Sequence, residues 1–299
     1  MPDAENLAHF DDFVEWLESL LPERGLRSKS AAVVQVLRTH PRLASFGSTA
    51  DIARRAGANV ATVTRTAQAL GFAGWPALQQ ELRGWYLSSL SAPEVIKEHH
   101  SVDSPAAASI RRDLDSLGIV QRRFIEHEIN DVAEAIASAR RTIVIADGSY
   151  AAVGMAFAHN ARLAGYDVHA ISVGDAELAN AMARTTGDDV LVAISFWRLY
   201  QSTVLAAHEA REHGARVFVI TDAASPALAK AADRVLLVPT EGVTFFPSLT
   251  AGMALAQAIV AQLAGIDEDR TEKSIEAAEA MWARFDLLRR RPHKASNAD

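Results

Sequence analysis

The sequence predicts two domains, an all-α N-terminal module followed by an α/β domain built on a five-stranded parallel sheet. Three observations carry this. The chain has 299 residues, 49% of them hydrophobic, against roughly 100–200 residues for an ordinary domain. Its first ninety residues show helical apolar spacing and no strand-like alternation. From Arg141 onward, short β-branched runs alternate with helical segments, the pattern of a parallel sheet covered on both faces.

The elements follow in order. Phe10, Phe13, Val14, Leu17, Leu20 and Leu21 recur at helical spacing until Pro22 stops the run. Ser30–Thr39 carries Ala32, Val33, Val36 and Leu37 on one face and ends near Pro41. Two short helices follow, then a longer one over Ala77–Leu90, led in by Gly74-Trp75-Pro76. Residues 91–104 lose the periodicity and read as a linker, and Pro105 opens a helical stretch to about Ala139 with a break expected near Gly118. Five strands are expected at Thr142–Ala146, Asp167–Ser172, Asp189–Ser195, Ala215–Thr221 and Arg234–Pro239. Helices Ala151–Ala164, Asp175–Arg184, Ser202–His213 and Pro226–Ala232 alternate with them, followed by Pro247–Ala264 and a last amphipathic helix near Glu268–Arg289. The expected domains are 1–90, a linker at 91–104, the α/β domain at 105–290 and a disordered tail at 291–299.

Composition narrows the function. There are no cysteines, which excludes disulfide scaffolds, thiol nucleophiles and Cys-ligated zinc. The start is acidic, without the basic-then-apolar pattern of a secretory signal. The most apolar late stretch, Ala251–Gly265, is interrupted by Gln257 and Gln262 and falls short of the roughly 20 residues a membrane span needs. A cytoplasmic, membrane-free protein is expected. The net charge is −7, yet Arg24–Arg83 carries nine Lys/Arg against Asp51 and Glu81. A basic island in an acidic chain suits a DNA-contacting module attached to a domain that does not touch DNA, although an Arg-rich solvated helix surface gives the same count.

Ser48–Phe72 gives the island its geometry. Ser48 or Thr49 caps one helix, with Ile52 and Ala53 facing inward. Gly57 sits at the sharp turn, and Asn59 caps the next helix. Val63, Ala67 and Leu70 form that helix's buried stripe, leaving Thr62, Thr64, Arg65 and Gln68 on the other face. Two short helices around a glycine turn describe a helix-turn-helix, whose second helix enters the major groove, where Arg reads guanine and Gln reads adenine. Ser48, Thr49, Asn59, Thr62, Thr64, Arg65 and Gln68 are the candidate DNA-binding residues.

Ala53–Phe72, with its A-x-x-A-G, A-T-V-x-R and A-L-G-F elements, resembles the N-terminal domain of RpiR-type bacterial transcriptional regulators. That family usually has Ser at Asn59 and a large apolar residue at Thr66. The second half resembles the SIS (sugar isomerase) domain of the same regulators through DGSYAAVGMAFAHNARLAGYDV, DDVLVAISF and GARVFVITDAASPALAKAADRVLLVPTE. The resemblance implies a doubly wound, flavodoxin-like sheet sensing phosphorylated sugars.

Such a sheet binds ligands beyond its strands' carboxyl ends, where strand order reverses. With the order 2-1-3-4-5, that crevice is flanked by Ala146–Ala151 and Ser195–Thr203, each of which opens a helix. The candidate ligand residues are Gly148, Ser149, Tyr150, Ser195, Trp197, Arg198, Tyr200, Ser202, Thr203 and, after the fifth strand, Glu241. The family's first loop usually reads G-x-G-x-S, but here it is Ala146-Asp147-Gly148-Ser149-Tyr150. Its second often reads S-x-S-G-x-T, and here only Ser195 keeps its place. A regulator variant, roughly S-F-P-R-Y-S, retains an Arg at Arg198. Three readings stay open: Arg198 replaces the lost hydroxyls by charge; the pocket has turned to a less anionic ligand stacked on Trp197 and Tyr200; or the site is vestigial. Asp147 adds negative charge beside the ligand and weighs against phosphate.

SIS domains also occur in sugar-phosphate isomerases, and Glu241 stands where a general base would. His208 and His213 are off the i,i+4 spacing, and no HExxH or other metal constellation is present. An isomerase has little use for a basic helical module. The sequence is therefore read as a regulator with no catalytic residue, metal or cofactor. Its expected partners are double-stranded operator DNA, a sugar-derived effector and its own copies in a homodimer or homotetramer. An isomerase, or a regulator of a non-phosphorylated metabolite, is the alternative.

Overall fold

A computed structural model describes residues 13–98, 104–123, 126–172, 175–197, 199–223 and 225–288. The N-terminal part contains α1 (residues 13–19), α2 (Ser28–Thr39), α3 (Pro41–Phe46), α4 (Thr49–Arg55), α5 (Val60–Ala69), α6 (Trp75–Ser88) and α7 (Ala92–Glu98). Their apolar stripes meet in one core around Leu17, Val33, Leu37, Ile52, Val63, Ala67, Leu78 and Leu82, each 0–1% exposed. Trp16 and Trp85 stack 5.5 Å apart at its edge, joining α1 to α6.

Helix α7 corrects the linker reading of 91–104. It is a short helix whose first turn is closed by Glu94, which accepts from both the Ser91 backbone N–H and hydroxyl. Only Val95 is buried along it, too little to write a 3.6-residue period into the sequence. Glu98 anchors its end, accepting from Arg42 and from the Tyr86 hydroxyl. Burial, reinforced by Glu98, pushes the Tyr86 hydroxyl up to about 12.

The effector part opens with α8 (Pro105–Arg123) and α9 (Glu126–Ser138). The helix runs through Gly118, where a break was expected; an interior glycine costs only about 1 kcal/mol relative to alanine and need not end a helix. The sheet comprises β1 (Arg141–Ala146), β2 (Val168–Ile171), β3 (Asp189–Ser195), β4 (Arg216–Thr221) and β5 (Arg234–Leu237). All pairings are parallel and the order is β2-β1-β3-β4-β5, as expected.

Between the strands lie a 3-10 turn (Gly148–Tyr150), α10 (Ala151–Leu163), α11 (Asp175–Met182), α12 (Gln201–Glu212) and α13 (Pro226–Ala229). Then come α14 (Thr250–Ile266) and α15 (Glu268–Arg284). The last helix ends short of Arg289, and the expected tail lies outside the described residues. Helices α9, α10 and α14 cover one face of the sheet around Phe157, Val192 and Ile259. Helices α11, α12 and α13 cover the other around Leu191, Val217 and Val219. Strand β3 is central and buried along its whole length, which is why it reads as a continuous apolar run. On α14, Gly252 lets the helix close onto Phe196: a Cβ there would meet the ring at 2.6 Å.

Candidate functional site

Two surfaces carry the chemistry. The first is the α4–α5 pair. Ser48 and Asp51 form a reciprocal capping box at the start of α4, in which the Ser48 hydroxyl and N–H hold the exposed Asp51 carboxyl below its ordinary range. Gly57 adopts φ +58 at the turn, a left-handed conformation that favours glycine. Asn59 then accepts from the Thr62 N–H at 2.8 Å and the Thr62 hydroxyl at 2.9 Å, capping α5. The candidates thus divide. Ser48 bonds to Asp51 at the start of α4, Asn59 and Thr62 bond to each other at the start of α5, and Thr49 occupies the first turn of α4. Thr64 is half-buried, while Arg65 and Gln68 are exposed on α5. Val63 and Ala67 are fully buried behind them, with Thr66 beside them bonded to the Thr62 carbonyl.

The second surface is a cavity of about 400 Å³ between the two parts of the chain. One wall comes from the carboxyl edge of the sheet: Trp197 after β3, Asp222 after β4, and Thr240, Glu241 and Phe245 after β5. The other comes from α6, through Gln79, Gln80, Arg83 and Gly84, and from α8, through Arg112 and Ser116. Chain closure at α6 is tight, since a Cβ on Gly84 would lie 3.3 Å from the Asp222 carbonyl oxygen.

Asp222 organises the sheet side. Its carboxylate accepts from the Trp197 backbone N–H at 2.9 Å and from the Thr240 hydroxyl at 2.5 Å. Its residual exposure is to this cavity and to a narrow cleft of about 30 Å³ beside it. Desolvation raises its carboxyl pKa, against the opposing pull of Thr240 and the Trp197 N–H. Those bonds hold Trp197 at φ +63, a conformation costing about 1–3 kcal/mol for a residue other than glycine. The Trp197 indole N–H then donates to the Leu87 carbonyl on α6 at 3.1 Å, and its ring meets Phe245 edge-on at 4.7 Å.

Ion pairs complete the join. Glu241 accepts from Arg83 at 2.9 Å and from Arg112 at 2.8 Å. Glu81 on α6, 3% exposed, accepts from Arg123 of α8 at 3.0 Å. Burial raises the Glu81 carboxyl pKa and outweighs Arg123. A carboxyl raised on folding contributes stability that is present below its unfolded pKa and is lost as pH rises through the folded value. The melting temperature of the wild type should therefore decline relative to Glu81→Gln as pH climbs from the ordinary carboxyl range toward neutrality. Parallel melting curves of the two proteins across that range would refute the assignment.

The expected crevice between β1 and β3 is differently occupied. Asp147 accepts from Thr203 at 3.2 Å and from Ser202 at 3.5 Å, so its carboxylate already sits at the first turn of α12. Tyr150 is buried edge-on against Phe196 and Tyr200, and the Tyr200 hydroxyl lies 3.2 Å from where a Gly148 Cβ would be. Ser149 is exposed. Of the sequence candidates, Trp197 and Glu241 line the large cavity and Trp197 and Ser195 the small cleft, whereas Gly148, Ser149, Tyr150, Tyr200, Ser202 and Thr203 line neither. Arg198 lies outside the described residues.

Sequence reasoning missed Arg83, Arg112, Asp222 and Thr240. Asp222 follows the carboxyl end of β4, so the edge rule that selected Ser195 and Glu241 was a signal for it. Arg83 and Arg112 are arginines on amphipathic helices, and nothing local distinguishes them.

A helix-turn-helix module whose last long helix walls a ligand-sized cavity in a doubly wound domain defines the class of a ligand-responsive DNA-binding protein. Residues 135–267 match the SIS domain family. An Escherichia coli (strain K12) protein, the uncharacterized HTH-type transcriptional regulator YfhH, is 28% identical over 233 residues, covering 73% of this chain and 79% of that one. The sugar isomerase domain of the RpiR transcription factor from Sphaerobacter thermophilus is 25% identical, with a TM-score of 0.56 over 58% of this chain and 97% of that one. The Vibrio vulnificus NanR protein, solved in complex with ManNAc-6P, shares the fold over 89% of this chain and 96% of its own, with 17% identity and a TM-score of 0.59. The chain is thus similar, over most of its length, to transcriptional regulators of the RpiR type that carry a SIS domain.

Proposed function

We propose that this regulator binds operator DNA through α5 and senses a small, sugar-derived, anionic metabolite in the cavity between its DNA-binding module and its SIS domain. The observation that carries the reading is the cavity itself, because α6 of the DNA-binding module supplies part of its wall. A ligand shifts an equilibrium only through its different affinity for two arrangements, and a wall shared by both domains supplies that difference. The ligand of NanR, a phosphorylated sugar derivative, supports the ligand class. Glu241 acts here as a tether and not as a base, since it is held by two arginines; the protein is proposed to do no catalysis. No helix among the described residues is long and apolar enough to cross a membrane, in keeping with the proposed cytoplasmic location.

Two modules on two half-sites require at least a homodimer. Ile110 and Leu114, both more than 60% exposed on α8, are the proposed contact. A second ligand reading rests on Trp197 and Phe245 in the cavity, which suit the apolar face of an uncharged sugar. Thermal stabilisation against sugars, sugar phosphates and sugar acids separates the readings, since a ligand at 100 times its Kd adds about 2.7 kcal/mol. Hits among phosphorylated or acidic sugars alone support the anionic reading, and hits among neutral sugars alone replace it.

For the DNA surface, Arg65→Ala should weaken operator binding by about 1–3 kcal/mol. The side chain is exposed on α5, so the fold should not suffer. An unchanged operator affinity in the folded variant removes Arg65 from the readout.

A further inference from the structure

We propose that the effector's anionic group is held by Arg83 and Arg112, neither of which belongs to the sheet, and that Glu241 occupies these arginines when effector is absent. The inference rests on the sensing function proposed above and adds the atoms that hold the ligand. Both guanidinium groups, through Nη1, reach the same carboxylate oxygen, Glu241 Oε2. The three side chains therefore carry a net positive charge on the cavity wall. Each guanidinium has five donors, and Glu241 takes one from each, so the site holds more donor capacity than its resident carboxylate uses. A phosphate monoester or a carboxylate presents two or more oxygens and matches a guanidinium fork better than a single oxygen does.

Other acids face the same cavity. Asp222 is engaged by Thr240 and the Trp197 N–H, and Asp115 is exposed on α8. Neither bonds to the two arginines. Partial exposure of the cluster, between 22% and 36% for the three side chains, leaves it within reach of a ligand from solvent.

The exchange moves the DNA-binding module because of where the arginines are attached. Arg83 also donates through Nε to the Ser45 carbonyl at 3.1 Å and lies over the Phe46 ring, so it is part of the α3–α6 unit. Arg112 belongs to α8, whose neighbouring Asp113 accepts from Ser248 and Thr250 beside α14. Glu241 thus ties the loop after β5 to both helices. Replacing it with a diffusible anion keeps the two arginines together and frees that loop from them.

Inorganic phosphate is the probe, titrated against the full chain at fixed ionic strength and read by calorimetry. Glu241→Gln removes the resident competitor and should bind phosphate about tenfold more tightly than wild type, ~1.4 kcal/mol. Arg112→Gln, a partly exposed position, should bind phosphate more weakly than wild type, and the double variant should lose the gain. Equal affinity in wild type and Glu241→Gln, or a gain that survives in the double variant, overturns the proposal. Should Glu241→Gln fail to melt cooperatively, the single Arg112→Gln decides: retained phosphate affinity overturns the proposal and lost affinity supports it. Sugar derivatives that still stabilise Arg112→Gln as they do wild type would leave the sensing function standing and remove the arginine anchor. A phosphate gain in Glu241→Gln with no sugar derivative binding either protein would support the anchor and remove the sugar reading.

Discussion

Replacing Asp222 by Ala should lower stability by about 2–4 kcal/mol and abolish stabilisation by effector. The carboxylate accepts from the Trp197 N–H and the Thr240 hydroxyl, and hydrogen bonds to a charged group contribute about 1.5–3 kcal/mol each. Relief of the left-handed Trp197 backbone offsets part of the loss, about 1–3 kcal/mol. The functional effect follows from the same bonds. Without Asp222, Trp197 loses the N–H acceptor that favours φ +63, and its indole is expected to leave the Leu87 carbonyl on α6. Sheet edge and DNA-binding module lose their shared wall. Chemical denaturation with and without effector reads both parts, and a variant that still gains full effector stabilisation would show that the wall forms without this carboxylate.

Asp189→Ala should cost more, about 3–5 kcal/mol, and leave effector and operator binding intact in the molecules that fold. Asp189 stands at the opposite, N-terminal end of β3, with its side chain fully buried. It accepts from Arg140 at 2.7 Å, from the Thr186 N–H at 3.0 Å and from Arg141 at 3.4 Å. Removing one partner of a buried pair leaves the other uncompensated, which is the expensive case. Arg141, only 13% exposed, would be left with its guanidinium in the protein. Urea midpoints give the stability, and titrations well below the midpoint give the binding. A loss of effector affinity equal to that of Asp222→Ala would mean the two ends of the sheet are coupled.

Much of this was legible before any coordinates. The capping residues Ser48 and Asn59, the turn at Gly57 and the Val63–Ala67 stripe are local devices, and local devices are written in neighbouring residues. Strand β3 announced itself because both its faces are buried. Helix α7 did not, because one buried valine and an end held by Arg42 and Tyr86 leave no period to read. Of the residues named from their places at strand ends, Trp197 and Glu241 line the cavity beside α6, while Asp147 and three aromatic rings stand in the crevice between β1 and β3.

The sequence by itself determined the helical first part, its helix-turn-helix and the five parallel strands, since each follows from apolar periodicity and caps, while the strand order came with the resemblance to the SIS domain. Only the tertiary structure decided where the cavity lies and which charges line it. Arg83 and Glu241 are 158 residues apart, and their meeting depends on how α6 docks against the ends of β3, β4 and β5. That docking is set by the summed packing of many small contacts and a few shared polar groups, and no single stretch of sequence records such a sum.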